Sequence, residues 1–196
     1  MRIRTPARLA ASCLALLAAS RAAAQAGSIT GKVDVTPAKY AEETVVYLKD
    51  AKPSGAPQTV NMDQKALKFI PKVLVLAKGD TVKFLNHDTV AHNVYSPDGE
   101  AYNLGTFKPN EDRTHTFDQE GAYTQLCSIH PEMLAFIFVA PNRHAAAVDA
   151  KGHYVIKDVP PGTYKLAVWN SHLKAPDKPV TVTAGKTAQV DFAVKR

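Results

Sequence analysis

Short apolar runs rich in β-branched and aromatic residues alternate with Gly, Pro, Asp and Asn along the chain after residue 26. No stretch of that region keeps apolar residues at the three-to-four-residue spacing of an amphipathic helix. Turn-forming residues between short apolar runs are typical of β-strands. The pattern therefore predicts an all-β protein, with strands at residues 28–35, 44–49, 59–62, 73–77, 81–86, 114–117, 122–126, 136–139, 154–157, 164–169, 180–183 and 188–194.

About a dozen strands are more than one small sandwich of about seven to nine strands holds, so the pattern predicts two sandwiches. Linker-like stretches at 52–57 and 140–143 mark boundaries between a middle domain, 56–141, and a C-terminal domain, 142–196. The strands within 27–55 are predicted to join the C-terminal sandwich, because that piece alone would leave sheet edges uncovered. The middle domain would then be inserted into the second sandwich. A simpler arrangement, in which 27–55 extends the middle domain, stays open.

The first 26 residues have the three parts of a secretory signal peptide. Three arginines lie among the first eight residues, an apolar run follows at 9–19, and small residues precede candidate cleavage points near Ala24 and Ala26. The apolar run is shorter than the stretch of about 20 residues that a membrane-spanning helix needs. The sequence thus predicts a protein that is exported to the periplasm, loses the signal peptide 1–26 and has no stable membrane insertion.

Cleavage of this leader would change both the charge and the cysteine count. The full chain has 24 Lys and Arg against 18 Asp and Glu, a net charge of +6. The leader carries four arginines and no acidic residue, so the mature chain has 20 basic against 18 acidic residues, a net +2. This balance gives no reason to expect a nucleic acid as partner. Cys13 leaves with the leader, and Cys127 remains without a partner for an internal disulfide.

A group of soft and borderline metal ligands occupies one predicted loop. Cys127, His130 and Met133 are spaced three residues apart between two predicted strands, so one loop can present a thiolate, an imidazole and a thioether to a single ion. His92, which follows a predicted strand, is the candidate for a fourth ligand, and His87 is its rival. Two imidazoles, a thiolate and a weak axial thioether are the ligand set of blue copper sites. The sequence therefore predicts one mononuclear type 1 copper site.

These residues also have ordinary structural interpretations. A lone cysteine is commonly a buried apolar residue, and methionine commonly fills apolar cores. Asn93, next to His92, is expected to brace the cysteine loop by hydrogen bonding.

The sequence lacks the residues that other metal sites need. A structural zinc site takes four Cys or His ligands, and haem attachment needs a Cys-x-x-Cys-His motif. A copper ion with four protein ligands leaves no position for a substrate, so the sequence predicts a protein that is not an enzyme.

The middle segment resembles the cupredoxins over about residues 57–141. The loop Cys127-Ser128-Ile129-His130-Pro131-Glu132-Met133 is similar in spacing to the short loop of amicyanins. The resemblance extends upstream through Phe69-Ile70-Pro71, Val75, Gly79-Asp80-Thr81-Val82, Phe84-Leu85-Asn86 and His92-Asn93-Val94. Ile129 and Ala135 depart from that loop, where proline and glycine are common. The resemblance implies a Greek-key β-sandwich with copper bound by His92, Cys127, His130 and Met133. It also implies a periplasmic one-electron carrier; copper binding or delivery without electron transfer is the alternative.

The C-terminal part resembles the carboxypeptidase regulatory-like, or transthyretin-like, β-sandwich, chiefly in residues 152–164. This combination of domains is similar to that of methylamine-utilisation-like proteins. A monomer is expected, with a periplasmic redox donor or acceptor protein as partner. That partner is expected to dock near His130, on a small apolar patch formed by Val90, Ala91, Pro131 and Leu134. Binding of a partner or glycan by the second sandwich, through Trp169 and Tyr164, is a third hypothesis.

Overall fold

The computed structural model describes residues 25–196. They contain one 3-10 helix, Ala38–Glu43, and 17 β-strands. No helix among them is long and apolar enough to cross a bilayer. In chain order the strands are β1 (Gly27–Val35), β2 (Thr44–Leu48), β3 (Thr59–Lys65), β4 (Lys68–Ile70), β5 (Val73–Ala77), β6 (Thr81–Asn86), β7 (His92–Ser96), β8 (Tyr102–Phe107), β9 (Asp112–Thr116), β10 (Gly121–Leu126), β11 (Leu134–Ala140), β12 (Ala145–Ala147), β13 (His153–Val159), β14 (Gly162–Asn170), β15 (Lys178–Val182), β16 (Thr187–Gln189) and β17 (Phe192–Val194).

The prediction of an all-β protein is confirmed, with differences in detail. Strands β4, β7, β8 and β12 were not predicted, and the predicted strand at 188–194 is divided into β16 and β17. Most of the predicted signal peptide, residues 1–24 with Cys13, lies outside the described residues.

Two sheets from the middle of the chain pack into a sandwich. One sheet has the strand order β5-β11-β10-β7-β8, and the other has the order β4-β3-β6-β9. Side chains from both sheets form one apolar core, since Met62 and Phe84 come from the second sheet and Phe107, Tyr123 and Ile137 from the first. Each of these five side chains is almost completely buried. The middle of the chain therefore has a core of its own.

The remaining strands form a second sandwich that uses both ends of the described chain. Its sheets have the orders β13-β1-β16, with β17 also paired to β1, and β12-β2-β14-β15. Strands β1 and β2 thus pair with strands from the C-terminal part, and neither pairs with a strand of the middle sandwich. The core between these sheets includes Ile29, Leu48, Ile156, Leu166 and Phe192.

Strand β11 packs on both sandwiches because successive side chains of a strand point to opposite faces. Ala135, Ile137 and Val139 face the core of the middle sandwich. Phe136 and Phe138 face the second sandwich, where their rings lie 5.6 and 5.4 Å from the ring of Trp169. The four sheets are therefore stacked, and β11 continues directly from the loop that carries Cys127 and His130.

Buried polar side chains hold the two connecting segments together at the other end of the middle sandwich, which we call the hinge end (residues 48–58, 77–80 and 140–144). The Asn142 amide donates to the carbonyl groups of Leu48 and Ala51 at 2.7 and 3.2 Å. The Arg143 guanidinium donates to both carboxylate oxygens of Asp80, at 2.9 and 2.7 Å. Burial alone would raise the pKa of Asp80, but hydrogen bonds from Arg143 and from the Ala77 backbone lower it.

Candidate metal centre

Two adjacent strands bring the predicted ligands to one end of the middle sandwich. Strand β10 ends at Leu126 and β11 begins at Leu134, so Cys127, His130 and Met133 lie on the connecting loop, as predicted. His92 is the first residue of β7, which pairs with β10 through Tyr95 and Leu126. The hydrogen-bonded sheet therefore fixes His92 beside the loop, although Cys127 comes 35 residues later in the chain.

Three of the four predicted ligands have their donor atoms in one cluster. The Nδ1 atoms of His92 and His130 lie 3.0 Å apart, and the Cys127 Sγ atom lies 3.8 Å from His130 Nδ1. All three donor atoms lie within 4.8 Å of one another. His92 and Cys127 are buried, whereas His130 is partly exposed. The cluster therefore has one imidazole at the molecular surface and two donors beneath it.

Met133 lies in the same region and is 1% exposed. Its side chain belongs to the core cluster that contains Cys127, and its backbone N–H donates to the His130 carbonyl at 3.0 Å. This hydrogen bond closes a turn over His130–Met133. The thioether is thus carried by the same compact loop as the thiol and the half-exposed imidazole.

Asn93 braces the cysteine loop, as the sequence predicted. Its backbone N–H donates to Cys127 Sγ at 3.3 Å, and its side-chain oxygen accepts from the Ser128 N–H at 3.3 Å. The Asn93 amide nitrogen donates in turn to Asn103 at 2.9 Å. A sulfur that accepts a hydrogen bond is better stabilised as a thiolate, which is the form that binds metals.

His87, the rival of His92, is not part of the cluster. Its side chain is 52% exposed and lies beside Asp63, with His87 Nδ1 3.0 Å from Asp63 Oδ2. Two further histidines are not freely exposed. His144 is buried and His115 is half-buried with its ring stacked on Tyr102, and burial lowers the pKa of both imidazoles.

Sequence reasoning missed Asp88, which contacts a predicted ligand. Its Oδ2 atom lies 3.0 Å from His92 Nε2, the ring nitrogen that faces away from His130. Hydrogen bonds from the backbone N–H groups of Leu67 and Thr89, with a smaller contribution from His92, lower the pKa of Asp88 to about 2. The signal in the sequence was the four-residue separation of Asp88 and His92, which is too common to indicate a contact without the loop structure.

The middle of the chain matches a known family. Residues 56–140 match the family model of copper binding proteins, plastocyanin/azurin family. The middle sandwich is a cupredoxin domain. Residues 135–195 match the model of the carboxypeptidase regulatory-like domain. The structure places β11, which both matches include at least in part, within the cupredoxin sheet, and it adds β1 and β2 to the second sandwich.

Solved structures similar to this chain include several cupredoxins. A purple cupredoxin from Nitrosopumilus maritimus is 26% identical over 41% of this chain and 99% of its own, with a TM-score of 0.39. A copper-containing nitrite reductase from Thermus scotoductus is 30% identical over 44% of this chain and 23% of its own, with a TM-score of 0.40. A reduced mutant of amicyanin is 23% identical over 50% of this chain and 98% of its own, with a TM-score of 0.40.

The donor atoms of the cupredoxin domain fit the metal that its family implies. Thiolate and thioether donors suit copper(I), and imidazole suits both copper oxidation states. The Nδ1 atoms of His92 and His130 lie 3.0 Å apart and face each other, so both can direct a lone pair into one space beside the Cys127 sulfur when neither carries a proton. This is a soft, largely buried set of donors, unlike the carboxylate-rich sites that magnesium and calcium prefer.

Proposed function

We propose that this protein is a periplasmic type 1 copper protein that carries single electrons. The observation that carries the proposal is the cluster itself, with the two Nδ1 atoms 3.0 Å apart and the thiol sulfur 3.8 Å from one of them. His92, Cys127, His130 and Met133 are the residues that would hold the copper ion. When bound, copper supplies the one-electron couple.

The chain's own contribution is a rigid set of donors. His92 is held at the start of β7, and the Cys127 loop is anchored between the paired strands β10 and β11. The hydrogen bonds from Asn93 fix this loop to β7. A site on paired strands should change little between the two oxidation states of the metal. A small structural change of the site between the two oxidation states favours fast electron transfer, which supports the role of an electron carrier.

The exposed edge of His130 is the proposed exit point for the electron. Two exposed apolar side chains lie on the loops beside it, Ile129 at 47% and Val90 at 42% exposure. Together with Pro131 they support the proposed docking patch for a periplasmic redox partner, while Ala91 and Leu134 are only partly exposed. A patch of this size suits a short-lived encounter rather than a permanent complex.

The same geometry supports the carrier role over copper delivery and over catalysis. Delivery requires ligands that an acceptor can replace one by one, but His92 and Cys127 are both buried. Catalysis at copper requires an open coordination position. With Met133 as fourth ligand, the protein fills the site, which supports a protein that is not an enzyme.

We also infer that the cupredoxin domain, 56–141, is inserted into the second sandwich. Strands β1 and β2 within 27–55 pair only with strands of 142–196. The two connecting segments meet at the hinge end through Asn142 and Arg143. Export to the periplasm is proposed from the signal-peptide pattern at 1–26. A lone thiol in that oxidising compartment would be open to oxidation unless it is buried or bound to a metal, and Cys127 is buried.

Optical and electron-resonance spectra of the mature protein with copper(II) test the proposed function. We expect an intense visible band that bleaches with reductant and returns on oxidation, because the thiolate is bound to a copper ion that cycles. Cys127→Ser should lose the band. His87→Ala is the matched control and should keep it, because His87 lies outside the cluster.

Two results would count against this proposal. A visible band that persists in Cys127→Ser would exclude the thiolate as ligand. A copper complex that transfers metal rapidly to a chelator but exchanges electrons slowly would favour copper delivery instead.

A further inference from the structure

The environment of His92 assigns a role to Asp88 and to the hairpin that holds it. His92 is fully buried, and its two ring nitrogens face different neighbours. Nδ1 faces the metal cluster, and Nε2 lies 3.0 Å from Asp88 Oδ2. A carboxylate only accepts hydrogen bonds, so the contact requires a proton on Nε2. The unprotonated lone pair of a neutral His92 is then on Nδ1, the atom directed at the cluster.

Asp88 is itself held in place by the backbone. Its Oδ2 accepts from the Leu67 N–H at 2.8 Å, and its Oδ1 accepts from the Thr89 N–H at 2.8 Å. The Asp88 N–H donates to the side-chain oxygen of Asn86 at 3.0 Å. Asn86 is fully buried and donates to the carbonyl of Val90 at 3.0 Å, so the loop from β6 to β7 is closed by hydrogen bonds. The Asp88 side chain is 10% exposed.

The Leu67 amide comes from an unusual hairpin. Lys65 and Lys68 pair across the turn between β3 and β4, leaving Ala66 and Leu67 as a two-residue loop. Both loop residues have positive φ, 52° and 57°, as a type I′ turn requires. Such turns normally use Asn and Gly, since other residues are strained there. Strained backbone that persists in a fold is concentrated at functional sites.

We propose that Asp88 is a positioning residue for the metal centre, which fixes the tautomer and the orientation of His92 and is held by the strained Ala66–Leu67 turn. This inference rests on the proposed function, because it concerns the side of His92 that faces away from the copper. A second consequence is electrostatic. The Asp88 carboxylate places a negative charge next to a ligand, which stabilises copper(II) relative to copper(I) and lowers the reduction potential.

The same chain contains a matched contact that does not touch the cluster. His87 Nδ1 lies 3.0 Å from Asp63 Oδ2, so this pair has the same chemistry and the same distance as His92 with Asp88. His87 is exposed and outside the donor cluster. Asp63→Ala therefore removes an equivalent carboxylate–imidazole contact without touching a proposed ligand.

The test compares mature wild type, Asp88→Ala and Asp63→Ala. In the metal-free proteins, nitrogen-15 spectra of the imidazole rings should show His92 protonated at Nε2 in wild type and in Asp63→Ala, and a mixture of tautomers in Asp88→Ala. Competition with a chelator should show that Asp88→Ala binds copper(II) about 10- to 100-fold more weakly. Its reduction potential should be higher than that of wild type, and Asp63→Ala should match wild type in both measurements.

Each failure has its own meaning. If wild type binds no copper, the proposed function fails, while the metal-free spectra still show whether Asp88 fixes the tautomer of His92. If Asp88→Ala keeps the tautomer, the copper affinity and the potential of wild type, the inference is overturned. Should Asp88→Ala not fold, Asp88→Asn keeps the side-chain volume and removes the charge, and an unchanged potential in that variant would equally overturn it.

Discussion

The two ends of the cupredoxin sandwich use buried polar groups for different purposes. At the hinge end, the oxygens of Asp80 accept hydrogen bonds from Arg143 and from the backbone of Gln58 and Ala77. The other end, which we call the metal end, consists of the start of β7, the loop between β10 and β11 and the turn between β3 and β4. There the Nδ1 atoms of His92 and His130 face each other beside the Cys127 thiol. A buried polar group whose hydrogen bonds are all supplied by the chain needs no further partner, and removing one of its partners destabilises the fold. Without metal, a proton on one of the two imidazoles can bridge the facing nitrogens, whereas a bound ion can accept a lone pair from both.

The two ends also differ in which residues adopt a left-handed backbone conformation. The hinge end places glycine at its left-handed positions, Gly55 and Gly79, with φ of 81° and 87°. The metal end places Ala66 and Leu67 in left-handed conformations that glycine or asparagine would adopt at lower cost. The hinge end is therefore relaxed, whereas the metal end carries strain next to its proposed ligands, as functional sites often do.

The largest expected effect is the stabilisation of the metal end by copper. Free copper(I) at 1,000 times its dissociation constant should raise the unfolding free energy of wild type by about 4 kcal/mol. Copper(I), kept anaerobic, avoids oxidation of Cys127. His130→Ala should lose most of this gain, yet its metal-free form should unfold within about 1 kcal/mol of wild type, because His130 is partly exposed. Chemical denaturation with and without copper measures both quantities. Equal stabilisation of the two proteins would contradict the assignment of His130.

A substitution at the hinge end should lower the stability of the protein without changing its stabilisation by copper. Asp80→Asn replaces a buried acceptor of four hydrogen bonds by a neutral amide and leaves Arg143 without its counter-ion, so we expect a loss of about 2 to 3 kcal/mol with or without copper. Its copper-dependent gain should equal that of wild type. Asp112→Asn is the control, because the Lys83–Asp112 pair is exposed and should be worth less than about 1 kcal/mol. Weakened copper binding in Asp80→Asn would show that the two ends are not independent.

Much of this fold follows from local patterns, and the missed strands show where those patterns fail. Strand β12 consists of three alanines, which favour strands weakly, and it forms because its backbone pairs with β2. Strand β8 contains Asn103 and Gly105, residues that are rare in strands, and lies at a sheet edge. Strand β7 starts with His92 and Asn93, polar residues whose burial depends on the distant cysteine loop.

The metal cluster shows the same limit. The placement of Cys127, His130 and Met133 on one loop was predictable because all three lie between two predicted strands. His92 could be preferred to His87 only from its context in the sequence. The pairing of β7 with β10, which places His92 beside the loop, joins segments that are distant in the chain. Asp88 was not predictable, since its position depends on a hydrogen bond from Leu67, 21 residues earlier in the chain.

Acid should weaken the hinge end through Asp80. The pKa of this carboxyl is lowered in the folded protein, so it contributes stability above its unfolded value of about 3.9 and loses that contribution as the pH falls through the folded value. The difference in unfolding free energy between wild type and Asp80→Asn should therefore shrink as the pH falls from about 5 to 3. Denaturation of both metal-free proteins over this range measures it. A difference that stays constant down to the lowest pH would mean that the charge of Asp80 contributes nothing.

The smallest expected effect concerns the strain at the metal end. Ala66 is exposed and has a φ of 52°, a conformation that asparagine adopts more readily than alanine. Ala66→Asn should therefore raise the unfolding free energy of the metal-free protein by up to about 1 kcal/mol. Copper affinity should not change, because the Leu67 N–H that holds Asp88 remains. Asn61→Ala, an exposed change within the same strand β3, serves as a control without left-handed backbone. A loss of stability in Ala66→Asn would mean that the turn is not strained, and the contrast between the two ends would then rest on their hydrogen bonds alone.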